Sequence, residues 1–560
     1  MPILPRPALT AALLLALLTA CSAANPGGAD DTLGFDGPEA GALLNANDLE
    51  ELELMVHRTG ADARLDDLHL LHDGTDRTHE AQRDDEALRW RPAGLDDGEH
   101  TVELYRGPST DRAETDTGTD AGDNAVANDA APATASSLAE DPDAELLHTW
   151  TFTVDATPPT IELTSPDGAV VAGEPMLVAG TTKPGATVTV GELEAVADDE
   201  GSFRIDIDAA PEAPLALTAV DVAGNVAEDE LALVTVPSRV ESDEIRTVHV
   251  SFYGWVSRLK DPIIEMVEDG RINAIQLDLK DEAGQIAYDS QVEVAREAGA
   301  TLGIWDLREA VEEIHALGVP VIGRIVAFAD PVLTTWAWES DRRDWVIQTP
   351  DGERYVGRYA GFSNFAHDEV REYNLAVAEE AAQAGVDHIL WDYIRRPDGS
   401  LDNMHIEGLE TTPEEAIVEF TRLADERLAP YGVQHGASVY GIAADRPTQI
   451  GQDIPAMAEH LDYVAPMIYP SHWGVGEYGV ADPNRQPYDI VRATLEVWDE
   501  AVEGRRARVV PWLEDTPYRA WDRPFQVREQ IRGAREHGID EWLMWNPGSR
   551  FTPEAYERRD

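Results

Sequence analysis

Near the middle of the chain, Gln276, Asp278 and Lys280 alternate with Ile275, Leu277 and Leu279. That period of two is a strand's, so the polar side chains share one face and the apolar ones the other. Three polar groups in a row on an inward face are costly unless they pair or meet a ligand. Later apolar runs carry similar groups. Arg324 sits among Val321, Ile322, Ile325 and Val326, and Asp392, Tyr393 and Arg395 end the run LWDYIR. Tyr469, His472 and Trp473 lie in PMIYPSHW, and Trp512 and Glu514 in VPWLED. Such a mixture suits a sugar. Flat rings stack on its C–H faces, charged groups bond its hydroxyls in pairs, and two carboxylates supply acid/base and nucleophilic chemistry. Asp392 is the first candidate nucleophile, with Tyr393 and Arg395 placed to hold it ionised; a structural tie to Arg395 or Arg324 is the alternative. Asp278 is an acid/base candidate, a hydroxyl acceptor, or half of a buried ion pair with Lys280. Glu514 is a candidate general acid, its pKa raised by Trp512. Lys280, Arg324, Arg395, Tyr469, His472, Trp473 and Trp512 are candidate substrate contacts, whereas Asp453 reads best as a helix cap.

To act together, these residues must be brought to one place. From about residue 245, β-like runs alternate with amphipathic helical stretches, the pattern of parallel α/β architecture. Eight strands are expected at 248–255, 274–280, 319–328, 388–394, 437–441, 463–469, 508–514 and 541–545. The clearest helices fall at 368–385 and 413–428, with similar ones at 487–502 and 524–537. Eight strands in about 300 residues fit a closed TIM (β/α)₈ barrel, whose chemistry gathers at the C-terminal ends of the strands. An open doubly-wound sheet is the alternative, and no glycine-rich phosphate loop supports it.

The ordered segments NAIQLDLKD (273–281), RIVAFAD (324–330), LWDYIR (390–395), GQ (451–452), PMIYPSH (466–472), PWL (511–513) and EWLMWN (541–546) resemble a glycoside hydrolase family first catalogued as a domain of unknown function. The resemblance spans roughly 245–555. It implies a TIM-barrel hydrolase related to the α-amylase and α-galactosidase groups, and it implies no particular substrate. Two positions depart from the family pattern: Arg396 stands where an aromatic is expected, and Glu514 where a glutamine is. The expected activity is O-glycosyl bond hydrolysis by a retaining, two-carboxylate mechanism on extracellular or cell-envelope polysaccharide. A non-catalytic polysaccharide-binding or envelope-scaffolding role is the alternative.

Bulk properties narrow the setting. The 560 residues carry 107 acidic against 43 basic side chains, a formal net charge of -64. Nucleic acid is thereby excluded as a partner, because its phosphates would be repelled. The only lysines are Lys183, Lys260 and Lys280. An acidic, lysine-poor surface suits solvation in concentrated salt, and a halophilic source is expected. An apolar run from Ala8 to Leu18 precedes Leu18-Thr19-Ala20-Cys21, which resembles a lipoprotein signal peptide (1–21) with its lipobox. Cys21, the only cysteine, is the expected lipidation site, anchoring the protein at the extracellular face of the cell membrane. One cysteine also excludes intrachain disulfides and cysteine-based zinc sites. A tether is expected at 22–32, then a β-sandwich domain at 33–156 with a disordered insertion at 107–145. A bacterial Ig-like domain is expected at 157–238, and the barrel at 245–556. Both β domains read as spacers. No cofactor is implied, no metal constellation stands out among the scattered histidines, and a monomer is expected.

Overall fold

The computed structural model describes residues 32–60, 63–107, 144–211, 213–242, 244–516 and 522–559. The expected signal peptide, Cys21, nearly all of the tether and all but the edges of the 107–145 insertion lie outside the described residues. No described helix is long and apolar enough to cross a membrane. The described residues form two compact units. One draws on residues up to 164 with 179–205 and 216–231; the other draws on 165–178, 206–215 and everything from 232 onward.

The first unit is rich in sheet. Antiparallel strands Leu33–Asp36, Leu54–Arg58, Ala87–Trp90 and Gln82–Arg83 make one sheet. Ala42–Leu44, Glu145–Val154, Gly98–Arg106, Leu68–His72 and Thr75–Asp76 make a second. Alternate residues from both, among them Leu54, Val56, Leu70, Trp90, Leu104 and Phe152, share one core. A further four-stranded sheet orders Leu193–Val196, Thr187–Val190, Leu215–Val220 and Val226–Leu231.

The second unit contains the eight-stranded parallel barrel. Its strands are Arg246–Val250, Ala274–Lys280, Val321–Val326, His388–Asp392, Gln434–Tyr440, Tyr463–Met467, a seventh in two pieces (Arg508–Val509 and Trp512–Glu514), and Trp542–Trp545. Each pairs with its sequence neighbours, and the eighth pairs with the first to close the ring. Pro511, which has no N–H to give, divides the seventh strand. Ala274, Ile322, Leu390, Tyr463, Ala465 and Leu543 fill the interior. The alternate residues, Ile275, Leu277, Ile325 and Trp391 among them, pack outward on the surrounding helices. Each such fully buried large apolar side chain contributes about 1.5–3 kcal/mol. Helices Asp368–Gln383, Pro413–Leu428, Pro487–Val502 and Arg523–His537 cover the sheet where the periodicity predicts them. Thr412 opens the second of these with a reciprocal cap to Glu415 and Pro413 in its first turn.

One local departure changes the site. Gln276, Asp278 and Lys280 are expected on one face, but the second strand has a register shift between Asp278 and Lys280. Asp278 pairs with Arg324 and Lys280 with Ile325, so Lys280 leaves the inward series. Its side chain is fully buried against Asp330 at 2.7 Å and Asn374 at 2.9 Å, over the Tyr373 ring. Lys280 is therefore corrected from a substrate contact to an internal ion pair.

Candidate active site

The site grows around one guanidinium. Arg324, on the third strand, is 2% exposed and meets three carboxylates. Its Nη1 donates to Asp278 Oδ1 at 2.8 Å. Nε and Nη2 both donate to Asp392 Oδ2, at 2.8 and 2.6 Å, and Nη2 also donates to Glu282 Oε1 at 2.5 Å. Sharing one nitrogen holds the Asp392 and Glu282 oxygens within about 5 Å of each other. Burial alone would weaken the Arg324 charge, but the three carboxylates around it outweigh that and raise its pKa.

Asp278 lies one layer beneath the opening. His249 Nε2 meets its Oδ2 at 2.9 Å, while His249 Nδ1 faces the Asn546 carbonyl at 3.1 Å. Both acceptors lack protons, so both ring nitrogens donate and His249 is an imidazolium. Burial pushes the Asp278 pKa up, yet the charges of His249 and Arg324 prevail and hold it at about 2. Asp278 is thus a fixed anion that orients Arg324, and its partner is not Lys280.

Asp392 ends the fourth strand and is 4% exposed. Its Oδ1 accepts the Tyr393 N–H at 2.7 Å. Tyr393 itself has φ 48, an uncommon left-handed conformation for an aromatic residue. The turn keeps the Tyr393 ring on the cleft wall, edge-on to Tyr359 at 5.2 Å. Glu282, by contrast, has a side chain 46% exposed. The Arg324 charge holds its pKa low against the opposing effect of burial.

Arg324, Asp392 and Glu282 lie on the floor of an open cleft of about 410 Å³ at the C-terminal ends of the strands. It takes in the predicted Asp392, Arg324, Arg395, Tyr469, His472, Trp473 and Trp512, together with Glu282, Arg358, Tyr359, Tyr440 and Trp545. Tyr469 stacks on Trp545 at 5.2 Å and stands edge-on to Trp512 at 6.3 Å. Arg395 is caged by Tyr359, Phe362, Tyr393 and Tyr440, and its Nη2 donates to the Tyr440 hydroxyl at 2.9 Å. Gly441 is required beside Trp473, since a Cβ there would stand 2.7 Å from that ring.

Glu514 lies outside this lining. It accepts the Ser471 N–H at 2.6 Å, the Ser471 hydroxyl at 2.7 Å and the Thr516 hydroxyl at 2.9 Å. Burial raises its pKa, while the bonds from Ser471 oppose the rise. Both oxygens are thus spent on the loop that carries His472 and Trp473. Asp453 caps the short helix Ile454–Met457 through Ala456 N–H at 3.3 Å.

Sequence reasoning missed Glu282. Its signal was present: 282 continues the 276, 278, 280 series into the loop after the second strand. It was passed over because 282 lies two residues beyond the end of the strand at Lys280, where a period of two no longer applies.

A ring of parallel strands with carboxylates, arginines and aromatic rings at its open end defines a glycosidase of the barrel class. The chain belongs to the family described as "Putative glycosyl hydrolase domain", whose model matches residues 247–551. Among solved structures, a hypothetical protein from Ruminiclostridium thermocellum ATCC 27405 is 26% identical, over 34% of this chain and 96% of that one, with a TM-score of 0.31. The PgaB (BpsB) glycoside hydrolase domain from Bordetella bronchiseptica is 15% identical, over 55% and 95%, with a TM-score of 0.42. TtGalA, an alpha-galactosidase from Thermus thermophilus, is 14% identical, over 71% and 74%, with a TM-score of 0.36. No curated protein matches the chain.

Proposed function

We propose that the barrel hydrolyses extracellular or cell-envelope polysaccharide with retention, Asp392 acting as nucleophile and Glu282 as acid/base. One observation carries this reading: both carboxylates bond a single nitrogen of Arg324 on the cleft floor, which caps the distance between the two bonded oxygens at about 5 Å, short of the roughly 6.5–9.5 Å that an inverting pair needs. In the free cleft Arg324 keeps Glu282 ionised. A bound glycan excludes water from Glu282, and that added desolvation raises the Glu282 pKa toward that of a proton donor. Glu282 protonates the leaving oxygen as Asp392 attacks the anomeric carbon. It then takes the proton from the water that cleaves the glycosyl ester. Asp278 and His249 hold Arg324 in place throughout.

Arg358 supports a substrate class. It is exposed on the cleft lining, and among the described residues no carboxylate pairs with it, although the chain carries a net charge of -64. A free guanidinium in that setting favours a glycan bearing anionic groups. We read the sheet-rich regions as Ig-like spacers. We place the protein, as a monomer, on the outer face of the membrane through a lipid on Cys21; Cys21→Ser should move it from the membrane pellet to the soluble fraction.

The test is a panel of neutral and acidic polysaccharides with wild type, Asp392→Asn, Glu282→Gln and Arg358→Ala. Asp392→Asn should lose activity on every substrate. Glu282→Gln should lose it on polysaccharide while still turning over aryl glycosides whose leaving group needs no proton. Arg358→Ala should lose the preference for acidic glycans. Equal sugar release by wild type and Asp392→Asn would remove Asp392 from the mechanism.

A further inference from the structure

In the sheet-rich unit, among the described residues, one cluster gathers three side chains with metal-ligating atoms: His72, Asp73 and His100. Their positions follow from strand pairing. His72 ends the strand Leu68–His72, Asp73 begins the turn after it, and His100 lies on the adjacent strand Gly98–Arg106. His72 Nε2 stands 2.9 Å from His100 Nδ1, and Asp73 Oδ2 stands 3.1 Å from each of them. The three atoms make a nearly equilateral triangle.

Two occupants can satisfy that triangle: a second proton on the His100 ring, or a cation at its centre. His100 Nε2 lies 2.8 Å from the Asp96 carbonyl oxygen, which can only accept, so Nε2 carries the hydrogen. In a neutral ring Nδ1 then presents a lone pair, and it faces the Asp73 carboxylate. With both rings neutral, His72 Nε2–H is the one hydrogen for two acceptors, Asp73 Oδ2 and His100 Nδ1; without a metal, a second proton on His100 Nδ1 has to serve Asp73. A divalent cation at the centre accepts all three lone pairs. Donors around tetrahedral Zn²⁺, at about 2.0–2.1 Å from the metal, stand roughly 3.3 Å apart, so the triangle has to open by only a few tenths of an ångström. Outer support is already built. The Asp96 carbonyl fixes the His100 tautomer, and Thr101 N–H bonds the other Asp73 oxygen at 2.8 Å. Asp73 adopts φ 46 in the turn, and its side chain is 47% exposed, which leaves a water-accessible fourth position.

We propose that His72 Nε2, Asp73 Oδ2 and His100 Nδ1 bind one first-row divalent cation, Zn²⁺ foremost. The cation clips the Asp73 turn to the neighbouring strand. A chain whose single cysteine is Cys21 has no intrachain disulfide to do this, and a metal is the other common staple of a small β unit. Sequence inspection alone does not find the site, because 27 or more positions separate His100 from its partners.

The test uses the full chain, stripped with chelator and titrated with ZnCl₂ in 1 M NaCl, so that loose cation binding to an acidic surface is screened. Equilibrium dialysis should give one Zn²⁺ per chain at submicromolar Kd. Asp73→Asn and His100→Gln should each weaken binding at least 100-fold, with far-UV circular dichroism unchanged. Zn²⁺ should raise the Tm of wild type and leave that of the variants where it was. Co²⁺ in place of Zn²⁺ should give visible ligand-field bands that His100→Gln alters. If His100→Gln does not fold, Asp73→Asn, at the half-exposed position, decides. Equal Zn²⁺ affinity in wild type and Asp73→Asn, or no stoichiometric binding by wild type, overturns the proposal.

Discussion

At the scale of single residues, the two carboxylates outside the cleft lining make different predictions. Glu514 spends both oxygens on Ser471 and Thr516. A glutamine there keeps one acceptor, and its amide can donate to a hydroxyl that rotates to receive it. Glu514→Gln should therefore keep kcat within a few-fold of wild type. Glu514→Ala should free the loop bearing His472 and Trp473 and raise KM. A large fall in kcat for Glu514→Gln, with KM unchanged, would restore Glu514 as a proton donor. For Asp278 the prediction is one of linkage. Its folded pKa is held at about 2, below the ordinary aspartate value of about 3.9 in an unfolded chain. Its stabilising contribution is thus fully present above about pH 4 and is lost as pH falls through about 2. The shift corresponds to about 2–3 kcal/mol. Denaturant melts between pH 2 and 5 should show a slope that Asp278→Asn flattens by close to one proton; an unchanged slope would mean that the ionised carboxylate does not contribute.

At the scale of elements, the register shift in the second strand has the largest consequence. It sends Lys280 to the outer face, where Asp330 pairs with it and also caps helix Pro331–Glu339 through Leu333 N–H at 2.7 Å. Removing one member of a buried pair leaves a charge without compensation, at a cost of about 3–5 kcal/mol. Lys280→Met should lower the free energy of unfolding by that amount, and Lys280→Met with Asp330→Asn should recover part of it, since asparagine still caps a helix. KM should stay as in wild type. A raised KM at unchanged stability would return Lys280 to the cleft. Much of the architecture was legible beforehand. All eight strands and the four main helices follow from periodicity, because burial on one or both faces leaves its mark at every second or every third to fourth residue. The place of Asp392, Arg324, Arg395, Tyr469, Trp473 and Trp512 at the mouth was legible as well, since strand ends face it; Tyr359, Tyr440 and Trp545 were not singled out. A β-bulge leaves no such mark. It changes parity by one residue, and that misplaced Lys280; Glu282 was missed because it lies in the loop past the strand's end, where alternation says nothing. The partnership of His249 with Asp278 was also hidden, because it depends on which interior side chains are level across neighbouring strands.

At the scale of the whole molecule, charge decides. With 107 acidic and 43 basic side chains, most carboxylates have no cationic side chain to match them. Added salt therefore has two opposed effects. It weakens exposed ion pairs such as those of Arg427 with Glu372 and Glu379, or of Arg506 with Asp425 and Asp462. Each exposed pair is worth only about 0–1 kcal/mol to begin with. Salt also screens repulsion among the surplus carboxylates over a range that shrinks from about 10 Å at 0.1 M to about 3 Å at 1 M. The second effect is the larger here, because surplus acids outnumber paired ones and each repels several neighbours. Raising NaCl from 0.1 to 1 M should lift Tm by several degrees, and KCl should do the same, since screening does not depend on the cation. Buried charges such as Arg324, Asp278 and Asp392 lie beyond the reach of screening, so their pairing should not change across that range. A Tm that falls with added NaCl would show that the exposed ion pairs, and not the surplus of acid, set the electrostatic balance of the fold.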